Sequence, residues 1–164
     1  MKTRWVNMSG RAWLLSAAML IGAAASGARA LEATDLPAGP IRDRHELMEG
    51  IGKNAKIIGD AVKAHMFGPE SGIGPAAQKI ETSAAKIPGL FPPGSTNPKS
   101  RAKAEIWTNW KKFEETAKLL EARAGVLAME SQAGGNIPAK ANEMFAVCKS
   151  CHDEFRKPEK KAKK

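Results

Sequence analysis

The chain has 164 residues, 43% of them hydrophobic, and a formal charge of +9 at pH 7. One domain is the natural count for this length. The charge is concentrated at the two ends, because residues 1–30 carry four basic and no acidic side chains and residues 156–164 carry six basic side chains and one acidic one. The segment between them is formally neutral and has no distributed basic face, which argues against nucleic acid as a partner.

The N-terminal segment predicts a secretory signal peptide. Basic residues precede an apolar run at residues 12–25, and Ala28-Arg29-Ala30 follows it as a cleavage site. The run has fourteen residues. Since about 20 are needed to cross a bilayer, an uncleaved membrane anchor is the less favoured alternative. We therefore expect residues 1–30 to be removed, the protein to be exported to the bacterial periplasm, and no transmembrane segment to remain.

The next segment, residues 31–157, predicts four helices, followed by a basic C-terminal tail at residues 158–164. Clusters of proline, glycine and other helix breakers lie near residues 67–69, 88–97 and 134–138. Between these breaks apolar residues recur at alternating steps of three and four, as in helices that pack at shallow angles. Short connections favour antiparallel neighbours, so the expected fold class is all-α, an antiparallel up-down-up-down four-helix bundle. The predicted stripes are Ile41, Met48, Ile51, Ala55, Ile58 and Val62; Ile73, Ala77, Ile80, Ala84 and Ile87; Ile106, Trp110, Phe113, Ala117, Leu120, Ala124 and Leu127; and Ala141, Phe145, Cys148, His152 and Phe155.

The last predicted helix contains the only two cysteines of the chain, in the run Cys148-Lys149-Ser150-Cys151-His152. Two thiols one helical turn apart can add to the two vinyl groups of a haem, and the adjacent imidazole can bind the iron. A thioredoxin-like pair needs a βαβ context, a zinc site needs a fourth ligand, and a disulfide across one turn closes almost no loop. We expect one covalently attached haem c per chain, held by Cys148 and Cys151, with His152 as the proximal iron ligand.

The bundle topology predicts which residues face His152 across the haem. Because the first and fourth helices run antiparallel, His152 is level with a point roughly 12 Å into the first helix. Met48 lies at that point on the apolar stripe, whereas Met66 belongs to the opposite end of the bundle. His45 lies one turn before Met48 among charged neighbours, where we expect a solvated side chain. Met48 is the predicted distal ligand and His45 the alternative, whereas His65 is expected on the surface.

The chain resembles class II c-type cytochromes, the four-helix-bundle group that contains cytochrome c-prime and its low-spin relatives. The resemblance rests on the haem motif near the C-terminus, the following Asp153-Glu154-Phe155-Arg156, the segment of residues 44–54, and Ala104-Glu105-Ile106-Trp107. It implies that low-spin members bind iron with a methionine at the position of Met48, whereas high-spin members place a non-coordinating side chain there. The sequence around Met48 looks more like the low-spin branch. The resemblance also implies that Arg44 pairs with a haem propionate.

These features together predict a protein that carries single electrons, has no enzymatic activity and acts with redox partner proteins. Histidine and methionine ligands saturate the iron, and the thioether raises its reduction potential. An open sixth position would instead predict a protein that binds nitric oxide or carbon monoxide. Gly50, Gly52 and Gly59 fit a haem edge, a close helix contact or a homodimer contact, so the sequence leaves the oligomeric state open. The basic tail has two interpretations, a solvated end or a docking segment for an acidic redox partner or membrane surface.

Overall fold

The computed structural model describes residues 36–158. The predicted signal peptide and residues 159–164 of the predicted tail lie outside the described residues. The helices are α1 (Pro40–Lys63), α2 (Ile73–Ala84), α3 (Glu105–Thr108), α4 (Trp110–Ala133) and α5 (Ile137–Phe155). Helix α2 packs against α1 and α4, α4 packs against α5, and α5 returns to contact α1. The predicted all-α four-helix bundle is therefore confirmed, and none of the helices within residues 36–158 is long and apolar enough to cross a lipid bilayer.

The ends of the long helices follow from local residue chemistry. Pro40 is the first residue of α1, where its missing N–H costs no hydrogen bond. Just beyond the end of α1, His65 adopts a left-handed conformation with φ 54. Helix α4 ends at Gly134 with φ 72, a conformation that glycine adopts without strain. The side chain of Asn136 accepts a hydrogen bond of 3.2 Å from the N–H of Ala139 and caps α5.

The predicted apolar stripes form most of the core. All five residues predicted for the second stripe are buried, including Ile87, which lies beyond the end of α2. The prediction that Trp110 belongs to the core is wrong, since its side chain is 36% exposed. The third helix breaks at Asn109, where φ is −116 and ψ is 40. This break puts Trp110 at the start of a new helix on the surface, while Trp107 packs against the core instead.

Residues 91–104, here called the crossing loop, form the last part of the connection from α2 to α3 and lie over one end of the core. The ring of Phe91 is buried and lies edge-on to Phe113, with ring centroids 4.9 Å apart. The indole N–H of Trp107 donates to the carbonyl oxygens of Phe91 and Pro92, each at 3.1 Å. Aromatic packing and these two hydrogen bonds hold the first residues of the loop in place.

The last residues of the crossing loop are bound to the end of α5. The backbone N–H of Lys103 donates to the carbonyl oxygen of Phe155 at 3.0 Å. The Nζ atom of Lys103 donates to the carbonyl oxygens of Asp153 and Glu154, each at 2.9 Å. Carbonyls in the last turn of a helix lack partners within the helix, and a cation there complements the helix dipole. Lys103 therefore caps the helix end that carries His152.

We expect Trp107→Phe to destabilise the protein by about 1–2 kcal/mol, because the ring is kept but both hydrogen bonds to the crossing loop are lost. The measurement is the free energy of unfolding in guanidinium chloride. Trp110→Phe is the matched control, since the same change occurs at a more exposed position. Equal losses in the two variants would contradict the role assigned to the Trp107 N–H.

We expect Lys103→Met to lower stability by about 1 kcal/mol and to increase amide hydrogen exchange in the last turn of α5, because two helix-end carbonyls lose their donor. Hydrogen exchange followed by mass spectrometry measures the protection of residues 152–157. Lys86→Met, at an exposed position beyond α2, is the control and should leave that protection unchanged. Unaltered exchange in Lys103→Met would contradict the capping role.

Candidate haem site

A cavity of about 480 Å³ lies between the first half of α1 and the end of α5, and the crossing loop and Phe113 of α4 complete its walls. Of the neighbouring pairs of long helices, α1 and α5 have the smallest contact, so the bundle is open at this seam. The volume lies within the range of roughly 300–1,000 Å³ found for ligand and cofactor sites. Five predicted site residues line the cavity: Arg44, His45, Met48, Cys151 and His152.

The two cysteines lie one turn apart on α5, both half-buried and both free. Burial raises the pKa of the Cys148 thiol. Burial also raises the pKa of Cys151 to about 11, and the neighbouring Cys148 and Glu154 act in the same direction. Both groups are therefore protonated thiols at neutral pH. Within residues 36–158 no three histidine, cysteine or acidic side chains come together in a group that could hold a metal ion.

His152 lies on α5 directly after Cys151 and lines the cavity. The residue is exposed rather than part of the core, so its place on the predicted stripe is wrong in that respect. Desolvation lowers the pKa of the imidazole, and the positive charges of Arg156 and Arg101 lower it further, whereas Asp153 raises it. The imidazole is therefore neutral at pH 7. Neutral imidazole is the form that binds a metal ion through a ring nitrogen.

Arg44 is buried at one wall of the cavity, with 4% of its surface exposed. Its guanidinium donates to Ser95 Oγ at 3.1 Å, to the Ser95 carbonyl oxygen at 2.8 Å and to Ser100 Oγ at 3.0 Å. It also lies over the ring of Phe91, 4.7 Å from the centroid. These hydrogen-bond acceptors are all neutral. Arg44 forms no ion pair with an acidic side chain of residues 36–158. A buried charge with no counter-charge is costly, so Arg44 fits a site whose ligand carries carboxylates, as the propionates of a haem would supply.

Met48 is half-buried on α1 and lines the same cavity as His152. Among the methionines of residues 36–158, only Met48 lies there: Met66 is 45% and Met129 65% exposed, and Met144 is fully buried in the core. The structure thus brings together the predicted proximal and distal residues, one from each of two facing helices.

The prediction of a solvated His45 is wrong. Its side chain is only 27% exposed, and Nε2 lies 3.4 Å from Glu49 Oε1. That nitrogen is buried and makes no hydrogen bond within the described part of the chain, so the separation from Glu49 is not a well-formed hydrogen bond. His45 lines the cavity beside Met48 and stays the alternative distal residue. His65, by contrast, is exposed as predicted.

The aromatic wall and the serines of the site were not predicted from the sequence. Phe91, Phe113 and Phe155 line the cavity, and the Phe113 and Phe155 rings lie 5.3 Å apart. Phe113 and Phe155 are on predicted stripes, so their burial was predicted from the sequence. Their position in the wall of the cavity was not predicted. Ser95 and Ser100 lie in irregular backbone, where no periodicity indicates which side chains turn inward.

Comparisons with known proteins place this bundle in a family. A sequence model described as cytochrome C' matches residues 39–156. The cytochrome c' of Rhodospirillum rubrum is 28% identical over 123 residues, 73% of this chain and 83% of that protein. The cytochrome c-556 of Agrobacterium tumefaciens is 30% identical over 120 residues, 73% of this chain and 98% of that protein.

Solved structures agree with the sequence comparison. The cytochrome c' from Rhodopseudomonas palustris is 25% identical, and its structure superposes with a TM-score of 0.66 over 77% of this chain and all of that one. The donor set of Cys148, Cys151 and His152, the cavity and the buried cation all fit a covalently bound haem. Since the family match spans the four helices and the haem motif, this chain belongs to the cytochrome c' family and is a haem c protein.

Proposed function

We propose that this protein is a periplasmic carrier of single electrons, with His152 and Met48 as the two axial ligands of its haem iron. The observation that carries the proposal is that these two side chains, from the facing helices α5 and α1, line one cavity. The haem supplies an iron that gains and loses one electron. Because a thioether and an imidazole would fill both axial positions, no position is open for a substrate or a gas.

The other residues of the site have distinct proposed roles. Cys148 and Cys151 would attach the haem at two points one turn apart on α5, next to His152. The rings of Phe91 and Phe113 would exclude water from one side. Arg44, oriented by its three hydrogen bonds to the crossing loop, would pair with a propionate through a charge-assisted hydrogen bond. A thioether ligand would favour a high reduction potential.

Cell location follows from the same chemistry. The predicted signal peptide at residues 1–30 would carry the chain across the inner membrane before the thiols of Cys148 and Cys151 are joined to haem. An exported protein with covalent haem belongs in the periplasm. Attachment would also consume both thiols, so an oxidising compartment would not turn them into a disulfide.

The alternative function is a five-coordinate protein that binds nitric oxide or carbon monoxide. The similarity to the cytochrome c' of Rhodospirillum rubrum favours this gas-binding function, because the resemblance implies an open sixth position in the high-spin members of the family. Met48 is half-buried rather than locked in the core. The two functions differ in one respect, whether the Met48 sulfur occupies the sixth position.

Met48→Ala should open the sixth position of the iron. We expect a low-spin absorption spectrum for the reduced wild-type holoprotein that carbon monoxide does not change. Met48→Ala should become high-spin and respond to the gas, because the thioether is lost. Met66→Ala is the control, since that methionine lies on the surface away from the cavity.

Two outcomes would contradict this assignment. A wild-type protein that is already high-spin and binds carbon monoxide supports the gas-binding alternative. A Met48→Ala protein that stays six-coordinate with an unchanged spectrum makes His45 the distal ligand instead.

The covalent link can be tested separately from ligation. Cys148→Ala and Cys151→Ala should each leave one thioether bond, and the double variant should lose all haem staining on a denaturing gel. The intact mass should fall by one haem in the double variant. Ser150→Ala, between the two cysteines, is the control and should retain the stain. Persistent staining in the double variant would contradict attachment at these thiols.

A further inference from the structure

Ser100 is a half-buried residue of the crossing loop that lines the haem cavity. Its backbone N–H donates to the carbonyl oxygen of Asn97 at 2.9 Å. Its own carbonyl oxygen accepts from the Nζ atom of Lys157 at 3.5 Å. The backbone of Ser100 is therefore hydrogen-bonded on both sides, which fixes where its hydroxyl group lies in the wall of the cavity.

The hydroxyl of Ser100 accepts two hydrogen bonds and donates none to any atom of residues 36–158. Arg44 Nη2 donates to Ser100 Oγ at 3.0 Å, and the backbone N–H of Ala102 donates to the same oxygen at 3.3 Å. A serine hydroxyl has two lone pairs and one hydrogen. Both lone pairs are thus in use, and the hydrogen is left to donate. Two donors on the oxygen also polarise the O–H bond, which makes it a stronger donor.

Ser95 has the same contact with Arg44 but no such donor. Ser95 Oγ accepts from Arg44 Nη1 at 3.1 Å. Its own hydrogen is donated to the carbonyl oxygen of Pro92 at 2.7 Å. Ser95 is also absent from the residues that line the cavity. Both serines hold the guanidinium, but only Ser100 combines an unused O–H with a place in the cavity wall.

Arg44 has unused donors beside the same hydroxyl. A guanidinium carries five N–H groups, and Arg44 makes three hydrogen bonds, all to Ser95 and Ser100. Glu49 is the acidic residue that lines the cavity, but it lies beside His45, with Oε1 at 3.4 Å from Nε2, and accepts from neither Arg44 nor Ser100. A carboxylate of a bound molecule can therefore accept from the remaining N–H groups and from the Ser100 O–H together.

We propose that Ser100 is a cofactor-binding residue, whose hydroxyl donates a hydrogen bond to the haem propionate that pairs with Arg44. This inference rests on the propionate role proposed above for Arg44 and adds a second, neutral donor. An O–H donor to a carboxylate makes a short, charge-assisted hydrogen bond. Because Arg44 lies on α1 and Ser100 on the crossing loop, a propionate held by both would also join the loop to the helix.

The test compares Ser100→Ala with Ser95→Ala in the haem-loaded full chain. Each variant removes one hydroxyl and one hydrogen bond to Arg44, so a role limited to holding Arg44 predicts equal effects. Resonance Raman spectroscopy measures the bending band of the haem propionates, whose wavenumber falls when a hydrogen bond to the carboxylate is lost. We expect Ser100→Ala to shift this band to lower wavenumber and Ser95→Ala to leave it in place. Ser100→Thr keeps the hydroxyl and should retain the wild-type band.

Two results would overturn the proposal: an unshifted band in Ser100→Ala, or equal shifts in the two alanine variants. Circular dichroism checks that each variant folds. If Ser100→Ala does not fold, Ser100→Cys takes its place, since a thiol has a similar shape but donates only weakly. The same downward shift is expected there, and an unshifted band would again overturn the proposal.

The propionate band and the iron ligands are measured separately. Absorption spectra of the same samples report whether Met48 binds the iron. A high-spin spectrum with the Ser100→Ala shift intact would count against Met48 alone, and a low-spin spectrum without that shift would count against Ser100 alone. Arg44→Lys separates the two propionate donors, because an unchanged band in this variant beside a shifted one in Ser100→Ala would count against the pairing of Arg44 alone.

Discussion

The site depends on the buried guanidinium of Arg44 and the loop that it holds. Arg44 donates three hydrogen bonds to Ser95 and Ser100 and covers the ring of Phe91, which fixes the crossing loop against α1. The other end of the same loop caps α5 through Lys103. Helices α1 and α5 have less contact with each other than the other neighbouring long helices have, so the loop, which is hydrogen-bonded to both, adds a second link between the two walls of the cavity.

This arrangement links the stability of the protein to its cofactor. Burial lowers the pKa of Arg44, which reflects the cost of removing the cation from water. A carboxylate that pairs with Arg44 offsets that cost. Aromatic packing of Phe91, Phe113 and Phe155 stabilises the wall of the cavity independently of Arg44. The phenylalanine rings therefore stabilise the shape of the cavity by packing against one another. The positive charge of Arg44 is the part of the wall that a cofactor with two carboxylates would neutralise.

The four-helix bundle could be predicted from the sequence because it depends on apolar periodicity. The position along the bundle axis at which α1 and α5 form the site could be predicted from the spacing of residues. The haem motif on the last helix and antiparallel packing together point to Met48, and the structure brings it to the cavity that His152 lines. The burial of Arg44 and the partial burial of His45 could not be predicted from periodicity, since a run of charged residues is typical of a solvated helix face. Their surroundings come from the crossing loop, whose irregular backbone gives no periodic signal. The break at Asn109, which moves Trp110 to the surface, has no proline or glycine to indicate it.

The charges around the site also act on His152. Desolvation lowers the pKa of His152, and the positive charges of Arg156 and Arg101 lower it further because they disfavour a positive charge on the ring. By the same Coulomb repulsion, these residues would disfavour the additional positive charge of oxidised iron bound to that ring. They would therefore favour the reduced state, in the same direction as the thioether ligand proposed for Met48.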